Sequence, residues 1–239
     1  MPDAQHDLLA ELVKTGKPVV LLNFSGRPMI LNWENQNIPA ILEIGFGGSE
    51  TADAIADVVF GKVCPSGKLS TSFPRNVGQL PYSYAHYNTG RPLQGDSFVK
   101  FQSCYMDVNN SPLYPFGYGM SYTQFSYSPI SLSSSKMTTD GSIKASVTVT
   151  NIGKADGAEI VQLYLRDLVG SVVRPVKELK GFERIFLKAG ESRVVDFTIT
   201  PDLLKYYNNQ LEYVIEPGNF QVMIGTNSED VQVADFVVE

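Results

Sequence analysis

Two short apolar runs, Val19 to Phe24 after Pro18 and Ala40 to Ile44, constrain this chain more than any other feature. Their apolar character is continuous rather than alternating. That pattern belongs to strands buried on both faces, as in a parallel sheet. Two such strands cannot cover themselves, so the sheet is expected to be unfinished within these residues. Its partner strands then come from a missing N-terminal segment, or the piece docks on another chain.

Helices frame the runs. Residues 3–16 predict a helix with Asp3 as N-cap, an apolar stripe of Leu8, Leu9, Leu12 and Val13, Lys14 in the last turn and Gly16 beyond it. Ser49 opens another. In it Ala52, Ile55, Ala56, Val59 and Phe60 repeat at i, i+3, i+4, i+7 and i+8, and Gly61 closes it. Helix, strand, strand, helix indicates α/β architecture.

Residues 65–126 are rich in Pro, Gly, Ser and Tyr and have little periodicity. A structureless stretch of that length is unusual inside a compact domain. It is expected to wrap over neighbouring surfaces, held by its aromatics. Leu113 to Phe125 alone carries five rings, Tyr114, Phe116, Tyr118, Tyr122 and Phe125, punctuated by Pro115, Gly117 and Gly119.

From about residue 127 the texture changes. Ile143 to Val149, Ile160 to Leu165, Val194 to Ile199 and Phe220 to Ile224 alternate with period two. Asn151-Ile152-Gly153, Lys188-Ala189-Gly190 and Glu216-Pro217-Gly218 separate them as turns. Roughly seven short strands in about 110 residues predict an antiparallel sandwich of the immunoglobulin or fibronectin type III kind. The fold class is therefore α/β plus all-β. The expected domains are a partial α/β sandwich over 1–75, an aromatic-rich linker over 76–126 and a β-sandwich over 127–239.

The composition excludes several functions. A formal net charge of −6 argues against nucleic acid as a partner, because such binders neutralise phosphates. No apolar run approaches ~18 residues, so no membrane span is expected. Met1 to Asp7 lacks a basic n-region and is no signal peptide. Cys64 and Cys104 are the only cysteines; with two histidines they make no metal-ligand spacing, and two free thiols are a simpler reading than one bridge.

The candidate chemistry is sparse. Gly45-Phe46-Gly47-Gly48-Ser49-Glu50 joins strand to helix where a dinucleotide-binding loop would sit, but Glu50 takes the place of the third glycine and would repel pyrophosphate. A tight turn explains the glycines. Glu50 could serve a ligand, although a carboxylate at a helix N-terminus is also stabilised by the dipole. Asp53 and Asp57, at i and i+4, read as a solvated face. Arg27 and Arg91 stand beside Pro28 and Pro92, placed either for a carboxylate on a substrate or for a buried ion pair that clamps a loop. His6 and His86 have no nucleophile motif nearby. Trp33 reads as core, Tyr206 and Tyr207 as exposed aromatics. Asn23-Phe24-Ser25 and Asn109-Asn110-Ser111 fit the glycosylation pattern only weakly.

Several motifs in order resemble glycoside hydrolase family 3, in particular its bacterial periplasmic β-glucosidases. They are Gly16 to Leu22 with Gly26-Arg27-Pro28, Ala54 to Gly61 with Pro65 to Leu69, Ser72 to Arg75, Val77 to Pro81, Tyr87 to Pro92 and Leu113 to Gly119. The chain departs from the family pattern at Phe46 to Glu50 and at Cys64. The resemblance implies a retaining glycosidase acting on terminal non-reducing β-D-glycosides, with an aspartate nucleophile and a glutamic acid/base. It also implies that both lie before residue 1: the nucleophile in an N-terminal barrel, the acid/base just ahead of Pro2. No catalytic residue is therefore expected here, and no cofactor or metal. Glu50 and Arg91 are the residues expected nearest a substrate. The implied partner is the barrel and remaining α/β portion of a parent enzyme, periplasmic or secreted. An exposed sheet edge also makes a homo-oligomer an expectation. The alternative is a non-catalytic sandwich that grips carbohydrate or protein.

Overall fold

In a computed structural model, which describes residues 1–93 and 95–239, the two apolar runs pair in parallel. The order is α1 (Asp3–Lys14), β1 (Val20–Asn23), α2 (Asn32–Asn37), β2 (Ala40–Glu43) and α3 (Thr51–Val59). Val20 faces Ala40 and Asn23 faces Glu43 across a sheet of two strands. The sheet is open. Val20, Leu22 and Phe24 are exposed, as are Leu8 and Leu12 of the predicted stripe; of α1 only Leu9 is buried, and of α3 no residue is. Residues chosen for burial on both faces thus meet solvent.

Details differ from the sequence reading at the helix starts. Pro2 is the N-cap of α1 and Asp3 its first residue, where the carboxylate faces the positive end of the dipole without a capping bond. α3 starts after Glu50 rather than Ser49, and Thr51 Oγ1 donates to Gly48 O at 2.6 Å. α2 was not anticipated. Its sequence, NWENQN, has no apolar period, and tertiary contacts hold it instead. Asn32 Nδ2 donates to Arg75 O at 2.6 Å, and Tyr114 hydroxyl donates to Asn35 Oδ1 at 2.8 Å. Half-buried Trp33 meets the His6 ring edge-on, 4.6 Å between centroids.

The long segment does wrap, and its two ends pair with each other. Leu69 N donates to Tyr118 O and Gly117 N to Leu69 O, both at 2.8 Å; Leu113 N donates to Phe73 O at 2.7 Å. Tyr84 stacks on Phe116 at 4.2 Å and meets Tyr164 edge-on at 5.9 Å. Gly117 lies in the left-handed region at φ +79°, and a Cβ there would sit 2.0 Å from Gln162 Oε1. Only glycine lets the wrap approach the sandwich this closely.

The sandwich comprises β3 (Phe125–Tyr127), β4 (Ser131–Leu132), β5 (Lys136–Met137), β6 (Ile143–Asn151), β7 (Gly157–Asp167), β8 (Glu178–Leu187), β9 (Ser192–Ile199), α4 (Pro201–Leu204), β10 (Tyr206–Tyr207), β11 (Tyr213–Val214), β12 (Gly218–Gly225) and β13 (Val231–Val238). One sheet runs β5-β13-β12-β7-β8; in the other, β6 pairs with β3, β4 and β9. Their inner faces supply one core, including Val147, Val161, Leu163, Ile185, Val222, Ile224 and Phe236. β8 and β13 lie outside the alternating runs read from the sequence. In β8, Phe182 and Phe186 point outward while Ile185 and Leu187 point inward, so both faces carry apolar residues and the period is masked. Tyr206, read as an exposed aromatic, is buried against Arg174 with its ring 4.1 Å from the guanidinium; Tyr207 is exposed.

The two halves should respond differently to truncation. Ile185→Ala, in the core, is expected to cost about 2–5 kcal/mol in urea unfolding. Leu22→Ala, on the open sheet, should change the same transition by less than about 0.5 kcal/mol.

Candidate functional site

The carboxyl ends of parallel strands are where open α/β sheets place ligands. Here that edge presents Asn23 and Glu43, side by side in register, with Asn23 Nδ2 donating to Glu43 Oε2. Burial pushes the Glu43 carboxyl above its ordinary value of 4.5, while the Asn23 side chain and the Gly45 backbone pull it down. Ile44 N donates to Asn23 O at 2.9 Å, fixing the strand end. The next residues form the glycine turn, with Gly45 at φ +61° and Gly48 at φ +76° and the Phe46 ring projecting into solvent. Sequence reading placed Glu43 inside an apolar run and so passed over it. Its signal was a lone acid next to the end of a run that reads as buried.

Glu50 follows this turn as the exposed N-cap of α3. Arg91 is exposed on the wrap, where its carbonyl accepts from Ser103 N at 2.8 Å. Among the described residues no hydrogen bond or ion pair joins the two side chains, or either to another side chain. Arg27 likewise is exposed and makes no ion pair among the described residues. Asp57 pairs with Lys62 at 2.9 Å. Buried Glu34 lies 3.3 Å from His6 Nδ1 and ties α1 to α2, an arrangement invisible while α2 was unrecognised.

Two clefts flank the wrap. One, of about 320 Å³, is lined by Lys68, Tyr127, Glu159, Thr226 and Asp230. Glu159 Oε1 accepts from Lys68 Nζ at 3.2 Å, Tyr127 hydroxyl at 3.0 Å and Thr226 Oγ1 at 2.6 Å. Lys68 Nζ also donates to Gly119 O at 3.1 Å and Thr226 Oγ1 at 2.9 Å. Burial, then the Glu159 charge, pushes the Tyr127 hydroxyl far up. Two acids share this cleft, but the Glu159 oxygen is engaged three times over in holding the wrap to the sandwich. A retaining glycosidase needs two free carboxyls about 5–5.5 Å apart. The other cleft, about 390 Å³, lies between Tyr82, Tyr84 and His86 and the outer sheet face at Arg166 and Gln221, with Glu229 its one acid. Among the described residues no group of three or more His, Cys, Asp or Glu could hold a metal, and Cys64 and Cys104 are free thiols. No helix among them is long and apolar enough to cross a membrane.

Two measurements check these arrangements. Lys68→Met leaves Glu159 buried without its cation and should lower stability to urea by about 3–5 kcal/mol, with part of the loss recovered by adding Glu159→Gln. In a carbon-13 titration the Glu43 carboxyl should protonate above 4.5, and Asn23→Ala should move it higher, because it removes the donor that favours the charged form. A raised carboxyl pKa stabilises the fold at low pH, and that contribution is lost as pH rises through the folded-state value.

Comparison with known proteins shows what this framework is similar to. Residues 1–122 match the glycosyl hydrolase family 3 C-terminal domain, and residues 159–228 match the fibronectin type III-like domain. The periplasmic beta-glucosidase of Salmonella typhimurium is 52% identical over 236 residues, 99% of this chain and 31% of that protein. A beta-xylosidase of Formosa agariphila is 42% identical over 98% of this chain and 32% of its own length. The crystal structure of the beta-glucosidase of Listeria innocua in complex with isofagomine superposes with a TM-score of 0.95 at 43% identity, covering 100% of this chain and 33% of that one. The chain thus spans about a third of the relatives it matches. It belongs to glycosyl hydrolase family 3, in which it carries the C-terminal domain followed by a fibronectin type III-like domain.

Proposed function

We propose that this chain acts as the C-terminal portion of a β-glucosidase-type hydrolase, supplying scaffold while both catalytic carboxyls stand on the remainder. The observation that carries this reading is the open sheet: β1, β2 and α1 expose the apolar residues that a further α/β layer would bury. The match to about a third of each relative agrees with it. In this reading residues 1–75 finish an α/β sandwich, 76–126 strap it down and 127–239 form the supporting sandwich. Glu50 and Arg91 lie on the substrate side of the assembled enzyme, with Glu43 behind Glu50. The substrate is a terminal β-D-glucoside or related β-glycoside, and the whole enzyme works in the periplasm.

The purified chain is expected to release no nitrophenol from an aryl β-glucoside. Mixed with a polypeptide equivalent to the N-terminal two-thirds of the Salmonella typhimurium relative, it should restore turnover. Activity of the chain alone, abolished by changing one of its own carboxylates, would overturn the reading.

A further inference from the structure

The wrap covers only part of the outer face of the five-stranded sheet. On β7 it lies over Gln162, whose Nε2 donates to Gly117 O at 3.1 Å, and over Tyr164, which meets Tyr84. Next to it, edge strand β8 carries Phe182, Arg184 and Phe186 on that same outward face, because Ile185 and Leu187 are fully buried in the core. The two rings stay largely open among the described residues: Phe182 is 67% and Phe186 52% exposed. Alternate positions share one face of a strand, so the three side chains form a row about 13 Å long.

This row does not end at the sandwich. Arg184 Nη2 donates to Ser66 Oγ at 3.4 Å. Segment 63–66 therefore bridges the β8 row to the end of α3, where Phe60 is 86% exposed and Val63 is exposed too. An exposed apolar surface that continues across two domains marks an interaction face.

We propose that Phe182, Arg184 and Phe186 are the sandwich's own contact with the polypeptide that completes the α/β sheet. The inference rests on the proposed function and adds that this partner grips the fibronectin-like domain directly, rather than reaching it only through the α/β piece. Two observations select this occupant. The row is continuous with the open surface the partner must cover, and about two-thirds of each relative lies outside the match. The row suits such a contact: two rings bury large areas and an arginine between them has donors to spare.

The test measures affinity between the 239-residue chain and the N-terminal two-thirds of the Salmonella typhimurium relative. Phe182→Ser with Phe186→Ser should weaken association by roughly tenfold or more, and Arg184→Glu should weaken it in the same direction. Val194→Ser, at an exposed position on the other sheet, should leave it unchanged. Thermal melts of each variant separate lost contact from lost fold, and Arg184→Glu, at a solvent-facing charge, carries the test if the double variant unfolds. Unchanged affinity in the variants overturns this inference and leaves the proposed function standing. No association by the unsubstituted chain removes the proposed function itself. A homodimer, or cellohexaose binding, that the double variant abolishes would assign the row to another occupant and also overturn it.

Discussion

Lys68 is the point on which the two halves turn. Its ammonium donates to Gly119 on the wrap, Glu159 on β7 and Thr226 just past β12. All three of its protons are used, and Glu159 Oε1 receives three donors in return. A buried ion pair is weak evidence for stability by itself, because desolvation offsets the attraction. Its consequence here is positional. An unsatisfied partner would be expensive, so the wrap is held at one register on the sheet. With Lys68 seated, Gly117 falls against Gln162 and Phe116 against Tyr84, and the Tyr82–His86 segment lies beside β12 and β13.

That register separates two kinds of order. The sandwich closes its own core: two sheets face each other and residues such as Val161, Ile185 and Ile224 have no exposure. The α/β piece cannot do so. A parallel pair has two faces to cover and this one has three helices, of which α2 is short and polar and α3 buries nothing. Hydrophobic burial is the main favourable term in folding. The piece therefore draws much of its local order from α2, where Asn32, Asn35 and Glu34 reach the wrap and α1 through hydrogen bonds.

What the sequence made legible follows the same division. Strands β6 and β9 alternate because one face is core and the other meets water, whereas β7 and β12 alternate in sequence although the wrap covers part of their outer face. β8 and β13 hid, the first because its outer face is apolar as well. The parallel strands were legible from their continuous apolarity, and so was their lack of cover. α2 was not legible, since its helix depends on partners remote in sequence: Arg75, Tyr114 and His6. The site was less legible than the fold. Glu50 and Arg91 were chosen as charged residues in turns, yet turns expose charges for many reasons. Glu43 carries the clearer physical mark, a carboxyl half-removed from water beside Asn23, and that mark arises only when two strand ends meet.

In the proposed enzyme, the chemistry of the whole and the exposed apolar surface of this chain have a common cause. A glycosidase of this class needs two opposed carboxyls held in a water-poor cleft. Such a cleft forms most readily between domains, where neither side must be concave alone. Each side then presents a surface that is incomplete in isolation. In the proposed enzyme the edge formed by Asn23, Glu43 and the glycine turn would be one such surface, held in register by β1 and β2. The sandwich stands behind it as a buttress, tied through the wrap rather than through direct packing of core on core. The buried ion pair sits at the junction of wrap and sandwich, so losing its charge is expected to loosen the hold of the wrap on the sheet.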